Sequence, residues 1–136
     1  MKPLIRWVGG KTKLLSEIKQ RMPTQINRYI EPFLGGGAVL LSIDKSIPAI
    51  ACDANAELIN FFCVLKHQPE DLMFEFRKLQ NTKEVFYEIR GWDRMSGFIL
   101  RSPLERAVRF LFLNKTSFQG LWRVNRKGQH NVPYSS

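Results

Sequence analysis

The residues best suited to chemistry begin with a glycine-lysine stretch near the N-terminus. Gly10, Lys11 and Thr12 match the end of a phosphate-binding loop, G-x-x-x-x-G-K-[ST]. That pattern requires a glycine where this sequence has Ile5, and too few apolar residues precede it to form the strand that feeds such a loop. A phosphate loop is therefore the weaker interpretation, and the role of the lysine stays open at this point.

A second glycine-rich stretch, Glu31 to Gly37, follows a short predicted strand and contains three consecutive glycines. Glycines in this position permit a tight turn and a close approach of the backbone to a ligand. Asp53 ends the next predicted strand, 22 residues after Glu31, close to the spacing at which dinucleotide-binding folds place an acid on ribose hydroxyls. The third glycine of the dinucleotide fingerprint is replaced by Leu40. An adenosine cofactor without a pyrophosphate, such as S-adenosylmethionine, therefore fits better than a dinucleotide.

Side chains near the C-terminus suit nucleic-acid binding. After Gly120 the apolar pattern changes to a two-residue period followed by a turn, which predicts a β-hairpin. Arg123 and Asn125 are two residues apart and so share one face of a strand. Arginine and asparagine make bidentate major-groove contacts to guanine and adenine, respectively.

The distribution of charge also favours a polyanionic partner. The net charge is +9, with +6 in residues 1–30, −3 in residues 31–100 and +6 in residues 101–136. Two basic ends around a mildly acidic middle indicate that both ends contact a polyanion. Charge alone is equally compatible with a basic surface that binds nothing.

The elements that must position these residues alternate between helix and strand in the first half of the chain. We predict a helix over 12–22, a strand over 28–31, a glycine turn that opens a helix, and a fully buried strand over 49–53. Only two parallel strands are predicted, although parallel sheets need several strands with both faces covered. The sequence thus predicts the front part of a larger α/β fold.

Helices predominate in the second half. Asn55 is predicted to cap a helix, whose inward stripe consists of Leu58, Ile59, Phe62 and Leu65. Two more helices are predicted between Pro69 and about Arg90. The segment Ser102–Glu105 combines a capping box with a proline at the first helical position, which predicts a further helix start.

Other features restrict the function classes. Cys52 and Cys63 lie in apolar segments and are predicted to be small buried hydrophobes in a reducing compartment. His67 and His130 lack metal-ligand spacing, so no metal site is predicted. There is neither a signal peptide nor an apolar run near the ~18 residues of a membrane span, so we expect a cytoplasmic protein that does not contact membranes.

Four segments together resemble the DNA adenine methyltransferases of the Dam type. They are RWVGGK, EPFLGGGAVLL, the acid of CDANAELIN, and RAVRFLFLNKTSFQGLWRVNRKGQHNVPY, in the family's order over nearly the whole chain. These enzymes transfer a methyl group from S-adenosylmethionine to N6 of adenine in double-stranded DNA. The resemblance implies an incomplete Rossmann-like methyltransferase fold. Residues 1–66 would be its cofactor-binding part, and residues 67–136 a helical target-recognition segment ending in a β-hairpin.

The resemblance also implies roles for individual residues. Trp7 would pack on the cofactor, Lys11 would pair with its carboxylate, and Asp53 would accept hydrogen bonds from its ribose. Phe33 and Gly35 would shape the pocket. A short DNA target such as GATC would be recognised in the C-terminal segment. The DNA-binding residues there would be Asn114, Lys115, Phe118, Gln119, Leu121, Arg123, Asn125, Arg126 and Lys127. The sequence departs from the family pattern at Gln119, where asparagine is usual, and at His130, where an aromatic residue is common.

One family motif is missing. The family places Asp-Pro-Pro-Tyr beyond the recognition segment, where it holds the flipped adenine. The nearest candidate, Asn131–Tyr134, follows a polar turn rather than an apolar strand, so we predict no catalytic residue in this chain. We expect an N-terminal part that is inactive alone and whose catalytic half comes from further sequence or a separate polypeptide. The alternatives are a non-catalytic DNA-binding remnant, a misfolded gene fragment and, behind both, a dinucleotide-dependent oxidoreductase.

Overall fold

A computed structural model describes residues 3–135, which form two compact units divided between Ala54 and Asn55. The predicted boundary between the functional segments lies after residue 66. The helix Ala56–His67 belongs to the second unit, in which Phe61 stacks on Phe110 with ring centroids 5.3 Å apart. The division of function between the two segments stays a prediction.

The N-terminal unit contains a two-stranded parallel sheet. Strand β1 spans Tyr29–Glu31, strand β2 spans Ala49–Ala51, and Ile30 pairs with Ile50. Before β1, a 3₁₀ turn at Lys11–Leu14 leads into helix α1, Leu15–Gln20. The mixture of helix and parallel strand predicted for this half is therefore confirmed, with shorter elements than expected.

The predicted helix after the triple glycine is absent from the described residues. Only a single 3₁₀ turn, Leu40–Ser42, follows it. Gly35 and Gly37 adopt φ angles of 52° and 72°, which lie in the left-handed region and cannot continue into a right-handed helix. The Glu31 carboxylate accepts a hydrogen bond from the Leu40 N–H at 3.2 Å, so a side chain takes the place of a helical carbonyl.

The prediction that the second strand is fully buried is also wrong. Ile30 and Ile50 are 59% and 50% exposed, and no third strand among residues 3–135 pairs with β1 or β2. A two-stranded sheet has two open edges and cannot bury both of its faces. Cys52, directly after β2, is exposed for the same reason. Cys63 on the helix of the second unit is exposed as well, and both thiols are free.

Helices form most of the second unit. They are α2 (Ala56–His67), α3 (Pro69–Arg77), α4 (Lys83–Gly91) and α5 (Pro103–Thr116). The predicted starts of α2 and α5 are confirmed, because Asn55 accepts a hydrogen bond from the Leu58 N–H and the Ser102–Glu105 capping box is complete. Of the predicted stripe of α2, Leu58 is buried, whereas Ile59, Phe62 and Leu65 are only partly buried. The other buried residues of α2 are Phe61 and Val64. Its apolar residues cover more than one face, and packing of Phe61 on α5 selects which face is buried.

An irregular hairpin follows α5 and a 3₁₀ turn at Phe118–Gly120. Its two arms meet at isolated antiparallel bridges, Val124 with His130 and Ser117 with Tyr134, rather than along continuous strands. The predicted chain reversal is therefore confirmed. The predicted alternation is not, since Val124 is 44% exposed.

Within residues 3–135, no helix has the length and apolar character to cross a membrane. No cluster of three or more His, Cys, Asp or Glu side chains in this range could hold a metal ion. A cytoplasmic location stays a prediction.

Candidate cofactor pocket and nucleic-acid interface

A single cavity in the N-terminal unit is lined by all five predicted cofactor residues. Its volume is about 200 Å³, and its wall includes Trp7, Lys11, Phe33, Gly35 and Asp53. Small-molecule pockets usually measure about 300–1,000 Å³. This cavity is therefore large enough to enclose only part of a typical small-molecule ligand.

Hydrogen bonds hold the glycine turn against the end of β2. The Leu34 N–H donates to the Cys52 carbonyl at 2.9 Å. The Gly35 N–H donates to Asp53 Oδ2, also at 2.9 Å. These two bonds place the Asp53 carboxylate at the cavity wall, beside the backbone of the turn.

Trp7 lies against the glycine turn because the turn lacks side chains. A Cβ on Gly35 would lie 3.0 Å from Trp7 Cδ1, and a Cβ on Gly36 would lie 3.2 Å from Trp7 Cβ. Both distances are shorter than a favourable carbon–carbon contact of about 3.5–4.0 Å. The glycines therefore allow an indole ring to line the same cavity as the carboxylate.

Lys11 supplies positive charge to this cavity. Its Nζ donates to the Phe33 carbonyl at 3.2 Å and lies 3.6 Å from Glu31 Oε1. Glu31 is buried, and it also faces Tyr29, whose pKa is raised to about 12 by burial and by the Glu31 charge. An indole ring, a carboxylate and an ammonium group in one cavity suit a ligand with an aromatic base, hydroxyl groups and a carboxylate.

The fit of Trp7 against the turn can be tested by adding a methyl group. We expect Gly35→Ala to lower the free energy of unfolding by about 2 kcal/mol, from the left-handed φ and from collision with the indole ring. Gly9→Ala is the matched control, because Gly9 also has a positive φ but no atom within 4 Å of the added Cβ. It should cost only about 1 kcal/mol. Equal losses in urea unfolding would contradict the observed packing.

The predicted DNA-binding residues gather around the 118–120 turn and the hairpin of the second unit. Lys115, Phe118, Gln119, Arg123, Arg126 and Lys127 are exposed, and Leu121 and Asn125 are half-buried. Asn114 is different, since it is fully buried and its Nδ2 donates to the Gly120 carbonyl at 3.2 Å. Asn114 supports the turn from inside instead of presenting its side chain to solvent.

The 118–120 turn presents an aromatic ring on a strained backbone. Phe118 is 48% exposed, and Gln119 has a φ of 54°. Among the described residues, Gln119 is the only non-glycine residue with a positive φ. Such strain clusters at ligand-binding sites. Asparagine tolerates this conformation better than most residues, which gives a backbone reason for the asparagine that the resemblance implies at position 119.

Two predicted base-reading side chains already make hydrogen bonds within the hairpin. Arg123 Nε donates to Asn131 Oδ1 at 2.7 Å, which uses part of a guanidinium that carries five N–H donors. Asn125 Oδ1 accepts from the N–H groups of Lys127 and Gln129, at 2.9 and 3.0 Å. Asn125 therefore stabilises the turn, and Asn131, the start of the discarded catalytic candidate, orients Arg123.

A model of the family of D12 class N6 adenine-specific DNA methyltransferases matches residues 7–136. The chain belongs to this family. The resemblance to Dam-type adenine methyltransferases found in the sequence is thereby confirmed.

Individual methyltransferases are similar over nearly all of this chain. A type II methyltransferase of Lactococcus lactis subsp. cremoris is 38% identical, covering 98% of this chain and 48% of that protein. A type II methyltransferase of Methanocaldococcus jannaschii is 36% identical, with 98% and 52% covered. The DNA adenine methylase of Escherichia coli K12 is 36% identical, with 96% and 46% covered. The chain spans about half the length of these relatives.

Sequence reasoning missed a buried charged cluster in this D12-class chain. Arg109, in the middle of α5, is 1% exposed and pairs with Asp93 at 2.6 Å. Asp93 also accepts a hydrogen bond from the backbone N–H of His130 in the hairpin. Arg109 and Asp93 are 16 positions apart in the sequence, so no local pattern indicates their pairing.

Proposed function

We propose that this chain is the N-terminal part of a DNA adenine-N6 methyltransferase that uses S-adenosylmethionine and double-stranded DNA. Membership of the D12 class supports the reaction, because this family generally uses that cofactor. The observation that carries the proposal is the convergence of Trp7, Lys11, Phe33, Gly35 and Asp53 on one cavity. When bound, the cofactor would supply the sulfonium methyl group.

Each polar residue of the cavity has a role in this proposal. Asp53 accepts hydrogen bonds from the ribose hydroxyls, and it also accepts one from the Gly35 N–H. Lys11 pairs with the carboxylate at the methionine end. Trp7 offers its indole ring to an apolar or aromatic part of the ligand.

The cofactor proposal is tested by calorimetric titration with S-adenosylmethionine. We expect Asp53→Asn to weaken binding about tenfold, because a charge-assisted hydrogen bond to the ribose becomes a neutral one. The amide oxygen can still accept from the Gly35 N–H, so the turn is kept. Asp44→Asn removes an exposed carboxylate from the same unit and should leave affinity unchanged. Binding that is equal in all three proteins would contradict the role of Asp53.

We also propose that the 118–120 turn and hairpin recognise duplex DNA, with a GATC-like target. Arg123 would read guanine, Phe118 and Leu121 would contact the base stack, and the exposed basic residues would contact phosphates. The strained backbone at Gln119 and the half-exposed Phe118 ring support this proposal. Asn114 and Asn125 would contribute by holding the turns.

Fluorescence anisotropy with GATC-containing and GATC-free duplexes separates these roles. We expect Arg123→Ala to reduce the preference for GATC about tenfold. Lys127→Ala should weaken binding to both duplexes alike and reduce the slope of log affinity against log salt by about 1. Lys66→Ala, at an exposed position outside the hairpin, is the control. An unchanged preference in Arg123→Ala would refute base reading by this residue.

We propose that this chain alone transfers no methyl group and requires a catalytic segment. The sequence contains no Asp-Pro-Pro-Tyr, and the chain spans about half the length of its relatives. The exposed Ile30–Ile50 pair supports a sheet that further strands complete, supplied by additional sequence or by a separate polypeptide. Incorporation of labelled methyl groups into duplex DNA by the purified chain would contradict this. Duplex binding without cofactor binding would favour a non-catalytic remnant.

A further inference from the structure

Both backbone polar groups of His130 are held by charged side chains. Asp93 Oδ2 accepts from the His130 N–H at 2.7 Å, and Arg94 Nη2 donates to the His130 carbonyl at 2.7 Å. Arg94 Nη1 also pairs with Asp93 Oδ1 at 2.6 Å. The ion pair fixes the Asp93 carboxylate and the Arg94 guanidinium relative to each other. Together these two side chains hold the hairpin at His130.

Side chains of helices α4 and α5 add further hydrogen bonds to Asp93 and to the hairpin. Arg109 Nη2 donates to the same Asp93 Oδ2 at 2.6 Å, and its Nε donates to the Ile89 carbonyl at 3.0 Å. Arg90 donates to the Val132 carbonyl at 3.1 Å. The returning arm of the hairpin is therefore tied to both helices through its backbone.

The arm that is held lies directly opposite Arg123. Val124 and His130 form an antiparallel bridge, and the Asn131 N–H donates to the Arg123 carbonyl at 3.0 Å. The Arg123 side chain in turn donates to Asn131 Oδ1. The backbone and the side chain of Arg123 are both set by the segment that Asp93 and Arg94 hold.

We propose that Asp93, with Arg94 and Arg109, positions the recognition hairpin and thereby sets the placement of Arg123 on DNA. This inference rests on the proposed function, because it takes duplex DNA as the ligand of the hairpin. Stability alone is a weak reason for the cluster, since a buried ion pair is often no more stable than apolar side chains of similar volume. A buried polar cluster that fixes one arrangement of a neighbouring segment is a better account of its bonds to His130.

The test compares the full chain with Asp93→Leu/Arg109→Leu, which replaces both buried charges and removes the acceptor of the His130 N–H. We expect amide exchange at His130 and Asn131 to accelerate about tenfold more than exchange at Leu113 in α5. Affinity for a GATC duplex at fixed salt should fall about tenfold. Asp71→Asn, which removes an exposed carboxylate on α3, should change neither quantity.

Equal acceleration at hairpin and α5 amides would show that the cluster serves stability alone and would overturn the proposal. Asp93→Asn gives a second, milder test, because its oxygen can still accept from the His130 N–H. We expect its hairpin-to-α5 exchange ratio to stay within about threefold of wild type, and a tenfold change would contradict the mechanism. If the wild-type chain binds no duplex, the proposed function fails, while the exchange ratio still decides whether Asp93 positions the hairpin.

Discussion

Asp93→Leu is expected to lower the free energy of unfolding by about 3–5 kcal/mol. The substitution removes the carboxylate that pairs with the buried Arg109 guanidinium, which keeps the Ile89 and Arg90 carbonyls and the Phe98 ring, 5.0 Å away, as neutral partners. Burial lowers the pKa of Arg109, and the charge of Asp93 opposes that shift. Without this carboxylate the desolvation of a charge inside α5 is uncompensated. Equilibrium unfolding in urea, followed by circular dichroism, measures the loss.

The matched control removes both charges. We expect Asp93→Leu/Arg109→Leu to recover about 2 kcal/mol relative to the sum of the single variants, because no unpaired charge remains. Glu75→Gln breaks the exposed pair with Lys78, and it should cost less than about 1 kcal/mol. Strict additivity of the two leucine substitutions would show that Asp93 and Arg109 do not stabilise each other.

Features that depend on neighbouring residues were predictable from the sequence. The Asn55 cap joins residues three positions apart, as does the capping box of Ser102 and Glu105. Their hydrogen bonds form inside one helical turn, so the local sequence contains all the necessary groups. The helix starts that these caps define therefore appear where they were predicted.

Features that depend on distant residues were not predictable. Arg109 belongs to a basic, apolar stretch that gives no indication of Asp93, because that partner lies on a different element. The prediction that β2 is buried was wrong for a related reason. An apolar strand is buried only if other elements cover it, and Ile50 remains half-exposed on a two-stranded sheet.

The candidate site was predictable in part. Family resemblance supplied the five proposed cofactor residues, and they line one cavity although Lys11 and Asp53 are 42 residues apart. The resemblance did not indicate that Asn114 is buried beneath the 118–120 turn or that Asn125 holds the hairpin. Composition gives the type of a side chain, whereas its hydrogen-bond partners depend on how the backbone folds around it.

Because the His130 ring is buried, we expect the free energy of unfolding to fall in mild acid. His130 is fully buried, and burial together with the charge of Arg109 lowers its pKa from 6.5 to about 4, which outweighs the opposing charge of Asp93. The unfolded chain therefore binds a proton on this ring at a higher pH than the folded chain. Stability contributed by the neutral ring is present above pH 6.5 and is lost as the pH falls toward 4. The expected loss is about 3 kcal/mol.

His130→Phe isolates this effect, because phenylalanine has a ring of similar size and no titratable group. Its ring can keep the contact that His130 makes with Trp122, whose centroid is 4.9 Å away. We expect the difference in unfolding free energy between variant and wild type to be constant above pH 7. Between pH 6.5 and pH 4 it should grow by about 3 kcal/mol in favour of the variant, since contributions from other groups cancel. Urea unfolding at half-unit pH steps measures this difference, and a constant value down to pH 4 would show that His130 can be protonated without disrupting the native packing.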